Sequence, residues 1–256
     1  MNKINQVALY TLTRKEITRF FRIWTQTLLP SPISIVLYFV IFGSLIGPRI
    51  GDIQGYNYIE YIAPGLIMMA VINNAFSNVV ASFFGAKFQK NIEEMYVAPM
   101  STWVILLGFT LGGVTRGFIV GIIVTAVALF FTKLHIHHVG VVLLVVTACA
   151  MLFALSGLIN AIFSRKFDDI NIIPTFVLTP LTYLGGVFYS TKMLSPLWQK
   201  ISYFNPILYM INAFRYGMLG TSDVPVMISL SIIILANVLC FLVAWWLLTT
   251  GRGIKS

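Results

Sequence analysis

The sequence predicts an all-α, polytopic membrane protein: one domain over residues 1–256, with six transmembrane helices, an amphipathic interfacial helix before the first and a re-entrant helical pair before the last. Three observations lead there. Of 256 residues, 58% are hydrophobic and only 10% are charged, against about 25% charged in an ordinary soluble domain. Apolar runs long enough to cross about 30 Å of hydrocarbon recur along the chain. The basic residues collect in alternate loops. With 8 acidic and 17 basic residues, there is too little polar surface to cover a soluble core. A soluble globular domain, a disordered chain and a nucleic-acid binder are excluded, despite the formal charge of +9.

Residues 1–22 read as a helix outside the hydrocarbon. Tyr10, Ile17, Phe20 and Phe21 recur at helical spacing on one side, and Lys15, Arg19 and Arg22 on another. Such a helix either lies on the membrane surface with its basic face among anionic headgroups or faces a protein partner. No cleavable signal peptide is expected, because the first apolar run is long enough to stay in the membrane.

Residues 24–188 hold the first five expected spans: 24–46, bent at its entry by Pro30 and Pro32; 61–84; 103–131; 140–163; and 170–188, which contains Pro174 and Pro180. The sixth is 224–248. Residues 189–223 are apolar but interrupted by Pro196, Pro206 and Gly220. Asn205–Pro206 is a helix start, with Asn as N-cap and Pro at the first helical position, and Gly220 is a stop. A helix over Pro206–Leu219 is too short to span the bilayer, so Pro196–Tyr203 and Pro206–Leu219 read as two helices dipping into the outer leaflet.

Orientation follows from the basic residues. Lys3, Arg14, Lys15, Arg19, Arg22, Lys87, Lys90, Arg165, Lys166, Arg252 and Lys255 fall on the side of the N-terminus, and Arg49, Lys133, Lys192, Lys200 and Arg215 on the other. Both termini are expected in the cytoplasm.

Residues 85–100, GAKFQKNIEEMYVAPM, form an amphipathic cytoplasmic loop. Phe88, Ile92 and Met95 share one helical face, with Lys87, Lys90, Glu93 and Glu94 around it. This is either a helix that docks into a partner's groove or a solvated turn. Arg116 is the charge placed well inside a span, among Gly108, Gly112, Gly113, Gly117 and Gly121. It either braces closely packed helices or faces a translocation path. The acids are expected in loops or near span ends, which argues against a proton- or sodium-coupled carrier. No P-loop is present: Gly253, Ile254, Lys255 and Ser256 have Ile where Gly is required. His135, His137 and His138 lack nearby Cys or carboxylate partners and are not expected to hold a metal, and Cys149 and Cys240 read as small apolar residues. No catalytic residues are assigned.

Residues 86–101, AKFQKNIEEMYVAPMS, resemble the first cytoplasmic loop of bacterial ABC-2-type transporter permeases. Residues 181–220, LTYLGGVFYSTKMLSPLWQKISYFNPILYMINAFRYGMLG, are similar to the signature region near the C-terminus of that family. The resemblance implies an inner-membrane permease subunit, a homodimer, driven by a separate cytoplasmic ATPase that binds ATP and Mg, with membrane lipids around it and no cofactor in this chain. It implies a coupling helix at 86–96, placing Lys87, Phe88, Lys90, Ile92, Glu93, Glu94 and Met95 against the ATPase. Arg165 and Asp168, in the SRKFDD loop, are either a solvated turn or a second contact with that subunit. A polytopic scaffold or sensor without transport activity is the alternative.

Overall fold

The computed structural model describes residues 3–253, and no strand is formed among them. Lys255, counted above toward the cytoplasmic side, lies outside them, as do residues 1 and 2 of the expected first helix. Among the described residues five helices are long and apolar enough to cross a membrane: α2 (Trp24–Ile50), α3 (Tyr58–Phe88), α5 (Thr102–Ala128), α6 (Val139–Phe163) and α10 (Val226–Thr250). The other helices are α1 (Lys3–Arg22), α4 (Asn91–Val97), α7 (169–184), α8 (Pro196–Tyr203) and α9 (Pro206–Leu219), and a short 3-10 helix forms at Thr191–Met193.

The expected fifth span is the element that differs most. α7 is a helix interrupted by a π-wound stretch at Pro174–Leu178 and stopped at Gly185. At about 1.5 Å per residue it reaches about 24 Å, short of about 30 Å of hydrocarbon. The two prolines that seemed compatible with a span remove backbone donors from it. The segment 169–188, α7 with the residues that follow it, nonetheless joins opposite ends of the bundle: Asn160 Nδ2 donates to the Ile170 carbonyl at one end, and Tyr58 Oη donates to the Phe188 carbonyl at the other.

α3 is the central post. Its apolar residues surround it rather than forming a stripe, as burial on every side requires. Glycines on its neighbours bring the backbones together. A Cβ on Gly113 of α5 would lie 2.6 Å from Val79 Cγ2, and one on Gly157 of α6 would lie 2.6 Å from the Phe76 carbonyl oxygen. Such contacts leave room only for hydrogen.

α2 breaks before Pro30, which has no N–H to continue the helix. Thr27 turns its hydroxyl back to the Phe20 carbonyl at 2.7 Å, which closes the corner between α1 and α2.

Of the four apolar residues that the spacing puts on one side of α1, Phe20 and Ile17 pack inward and Tyr10 and Phe21 do not. Its buried residues are Leu12, Glu16 and Phe20, while Tyr10 is 65% exposed and Phe21 faces outward. It runs alongside α5 in parallel and in register. Asn5 pairs with Ser101, Leu12 packs on Gly108, and Glu16 packs on Gly112. The physical reason is the bare trough at Gly108 and Gly112, which accepts a ridge of residues four apart.

One end of the bundle gathers Asn5 with Ser101, Lys87 with the end of α6, and Tyr96 with the end of α10. The opposite end gathers Gln54 with Asp223 and His138 with Gly217. The described ends of the chain therefore lie on the same side. α8 and α9 form with the bounds read from the sequence. Asn205 accepts from the Ile207 N–H as N-cap, and Gly220 stops α9 at φ +75°.

Candidate functional site

The candidate site is the end of the bundle where α3, α6 and α10 finish. A single coupling helix over 86–96 does not form. α3 continues through Phe88, Lys90 takes φ +61°, and α4 begins at Asn91. The break separates Phe88 from Ile92 and Met95, so the three do not share a face. Phe88 is 61% exposed, whereas Ile92 is 1% exposed and plugs the core beneath α4. Phe88 and Phe84 instead meet Phe167 from the loop after α6, with ring centroids 5.0 Å apart in each pair.

Lys87 does structural duty. Its Nζ donates to the Ile162 carbonyl at 2.6 Å and to the Ser164 carbonyl at 2.9 Å, completing the C-terminal acceptors of α6. Tyr96 donates to the Leu248 carbonyl of α10 at 2.7 Å, and burial pushes its phenol up to about 12, so it remains a donor at neutral pH. α4 is thus fixed to the core through Ile92 and to α10 through Tyr96, with Glu93 and Glu94 left facing solvent.

Lys87, Phe88, Lys90, Glu93 and Arg165 line one cleft of about 600 Å3, together with Phe84, Phe163 and Gly253. Met95 lines a neighbouring apolar cleft between α1 and Met100. Asp168 is exposed and makes no cap bond. The working residue of that loop is Asp169, whose Oδ2 accepts the N–H groups of Arg165 and Lys166 at 2.8 and 3.0 Å.

The polar interior extends beyond Arg116. Its Nη2 donates to the Thr27 carbonyl at 2.7 Å and to Asn74 Oδ1 at 2.9 Å, joining the broken entry of α2 to α3. The acids are not confined to loops and ends: Glu16 is fully buried against α5 and pairs with Arg19 at 3.4 Å. Arg19 is turned inward to Asn78 rather than outward with Lys15 and Arg22. Arg215, read as an outer loop residue, is fully buried in α9. Its guanidinium stands 4.0 Å from the Tyr61 ring centre and donates to the Gly186 carbonyl at 2.6 Å. Asn74 and Asn78 were the signal for this interior, two amides one turn apart within an apolar span. His137 and His138 hold the opposite end together through their backbone N–H groups, which donate to the Met218 and Gly217 carbonyls of α9.

Residues 7–219 match the ABC-2 type transporter family. The chain is 55% identical over 250 residues to the inner membrane transport permease YadH of Escherichia coli strain K12, covering 98% of each chain. It is 25% identical over 214 residues to nodulation protein J of Rhizobium leguminosarum bv. viciae, covering 83% of each. It is 23% identical over 242 residues to nodulation protein J of Neorhizobium galegae, covering 94% of this chain and 91% of that one. With a helical membrane-type bundle and a match over most of its length, the chain belongs to the ABC-2 type transporter family, whose members are transport permeases, the membrane subunits of ABC transporters.

Proposed function

We propose that this chain is the permease of an ATP-driven exporter in the bacterial inner membrane. Two copies work with separate cytoplasmic ATPase subunits, which bind ATP and Mg. In this reading the chain crosses six times, with α7 as the short crossing, and both termini face the cytoplasm. α8 and α9 dip into the outer leaflet. Support for that last placement comes from α9, whose buried residues are covered by protein, as non-spanning backbone at membrane depth requires.

The observation that carries the reading is the attachment of α4. Glu93 and Glu94 are open to a partner, while Ile92 and Tyr96 tie the same short helix to the core and to α10. A push on α4 is therefore delivered to α3 and α10 together, and rigid-body motion of packed helices is a standard means of alternating access. The cleft beside α4, with Phe88 exposed in its lining, is the surface the ATPase would engage. Arg116 acts from inside, holding α2 to α3 during that motion.

The test is Glu93→Lys combined with Glu94→Lys. The variant should assemble as the wild type does but lose copurification with the ATPase and lose substrate-stimulated hydrolysis. Copurification and transport at wild-type levels would overturn the assignment.

A further inference from the structure

The outer face of α1 carries a groove of about 560 Å3 lined by Arg14, Lys15, Arg19 and Arg22, with Thr11 and Thr18 between them and Ile23 at its far end. Among the described residues the ion pair in this region is Arg19 with Glu16, so Arg14, Lys15 and Arg22 have no acidic partner. The register of α1 against α5 fixes how the groove is oriented. Asn5 sits at the Ser101 end of the bundle, and the groove lies farther along α1, toward the middle of α5. Beyond it the chain turns apolar on its outer side. Trp24 is exposed, and Leu29, Ile33 and Leu37 follow as an exposed strip along α2. From the groove toward α2 the order is thus cations and hydroxyls followed by a hydrocarbon-type surface, the order of headgroup and acyl chain in a leaflet. Long basic side chains reach back from such a depth toward the headgroup layer.

We propose that this groove is a binding site for an anionic phospholipid of the cytoplasmic leaflet, with the phosphates held by Arg14, Lys15 and Arg22 and the acyl chains lying along Leu29, Ile33 and Leu37. Arginine pairs with phosphate through parallel N–H donors, and the threonine hydroxyls add further donors. Three cations without an acidic partner match more than one negative charge, so a headgroup with two phosphates binds better than one with a single phosphodiester. The occupied site packs α1 against the bilayer on one face while Leu12, Glu16 and Phe20 pack it against α5 and α3 on the other. The bound lipid becomes part of the support for the corner at Thr27.

The proposal takes its side of the membrane from the permease reading, and its test reads lipid contact rather than transport. The protein is placed in phosphatidylcholine nanodiscs that contain either brominated cardiolipin or brominated phosphatidylcholine at equal bromine content, and tryptophan fluorescence is recorded. Brominated cardiolipin should quench more strongly. Trp24→Phe should abolish that difference, and so should Arg14→Gln with Arg22→Gln, while quenching by brominated phosphatidylcholine persists and shows that the variant is still folded in the bilayer. Equal quenching by the two lipids in the wild type would overturn the site. So would unchanged selectivity in the arginine variant, or loss of the selective quenching on adding inorganic phosphate at constant ionic strength, which would mark a site for soluble phosphate. Lost transport with intact selective quenching would count against the permease reading alone.

Discussion

Arg19 holds Asn78 at two points: its Nη2 donates to the Asn78 backbone carbonyl at 3.1 Å and to Oδ1 of the same residue at 2.8 Å. The contact joins α1 to α3 across the Gly112 trough, where Glu16 lies fully buried. The charges on α1 that an amphipathic pattern assigns to the surface are in part its means of attachment to the core.

Removing one member of that pair should be worse than removing both. Arg19→Ala leaves the Glu16 carboxylate buried without a cation, a change that costs about 3–5 kcal/mol in buried pairs. Glu16→Gln added to Arg19→Ala should restore part of the loss. Thermal unfolding in detergent checks the order, and a double variant less stable than Arg19→Ala would contradict it.

The glycines of α5 serve two different neighbours, so their substitution should separate two outcomes. Gly112→Val places a side chain where Glu16 Cβ lies and should expel α1 while the bundle stays folded. Gly113→Val meets Val79, Ala154 and the Ala75 carbonyl and should prevent folding. Limited proteolysis within α1 distinguishes them: cleavage of an otherwise intact protein for the first, loss of the folded protein for the second.

The Tyr61 ring, not its hydroxyl, should matter to Arg215. The hydroxyl is buried with no partner, whereas the ring face supports the guanidinium. Tyr61→Phe is expected to be neutral, and Tyr61→Leu to cost about 2 kcal/mol, the size of a desolvated cation–π contact. Equal losses of melting temperature in the two variants would show that the hydroxyl carries the effect.

Arg116→Gln should leave the Thr27 carbonyl without its donor. An orphaned buried acceptor costs about 1–3 kcal/mol, and the loss should appear at the corner between α1 and α2. Hydrogen exchange faster in residues 23–33 than in α3 is the expected signature, with assembly retained and transport impaired.

The helical class, the bounds of α8 and α9, the caps of α9 and the boundaries of most long helices were legible because they rest on local signals: apolar length, a proline at the first position of each short helix, the Asn205 cap and the Gly220 stop. The inner face of α1 was not. Hydrophobic spacing favoured Tyr10 and Phe21, but the face that packs is chosen by the shape of α5, and a carboxylate enters because Arg19 accompanies it. The Lys90 break was hidden for the same reason. A left-handed residue in a mixed-charge run leaves no mark in the apolar pattern, and it is imposed by Ile92 turning into the core. α7 shows the opposite failure, where sufficient apolar length concealed the effect of its prolines.

Gly112 faces α1 and Gly113 faces α3 and α6, adjacent in the chain and on different sides of one unbroken helix. Each residue advances an α-helix by about 100°. One alanine inserted between these two would rotate the whole of 113–128 away from its partners, while the 108–112 row kept its place against α1. Between Gly112 and Gly113 the count of residues is itself a structural constraint, because a single helix there keeps two separate alignments true at once.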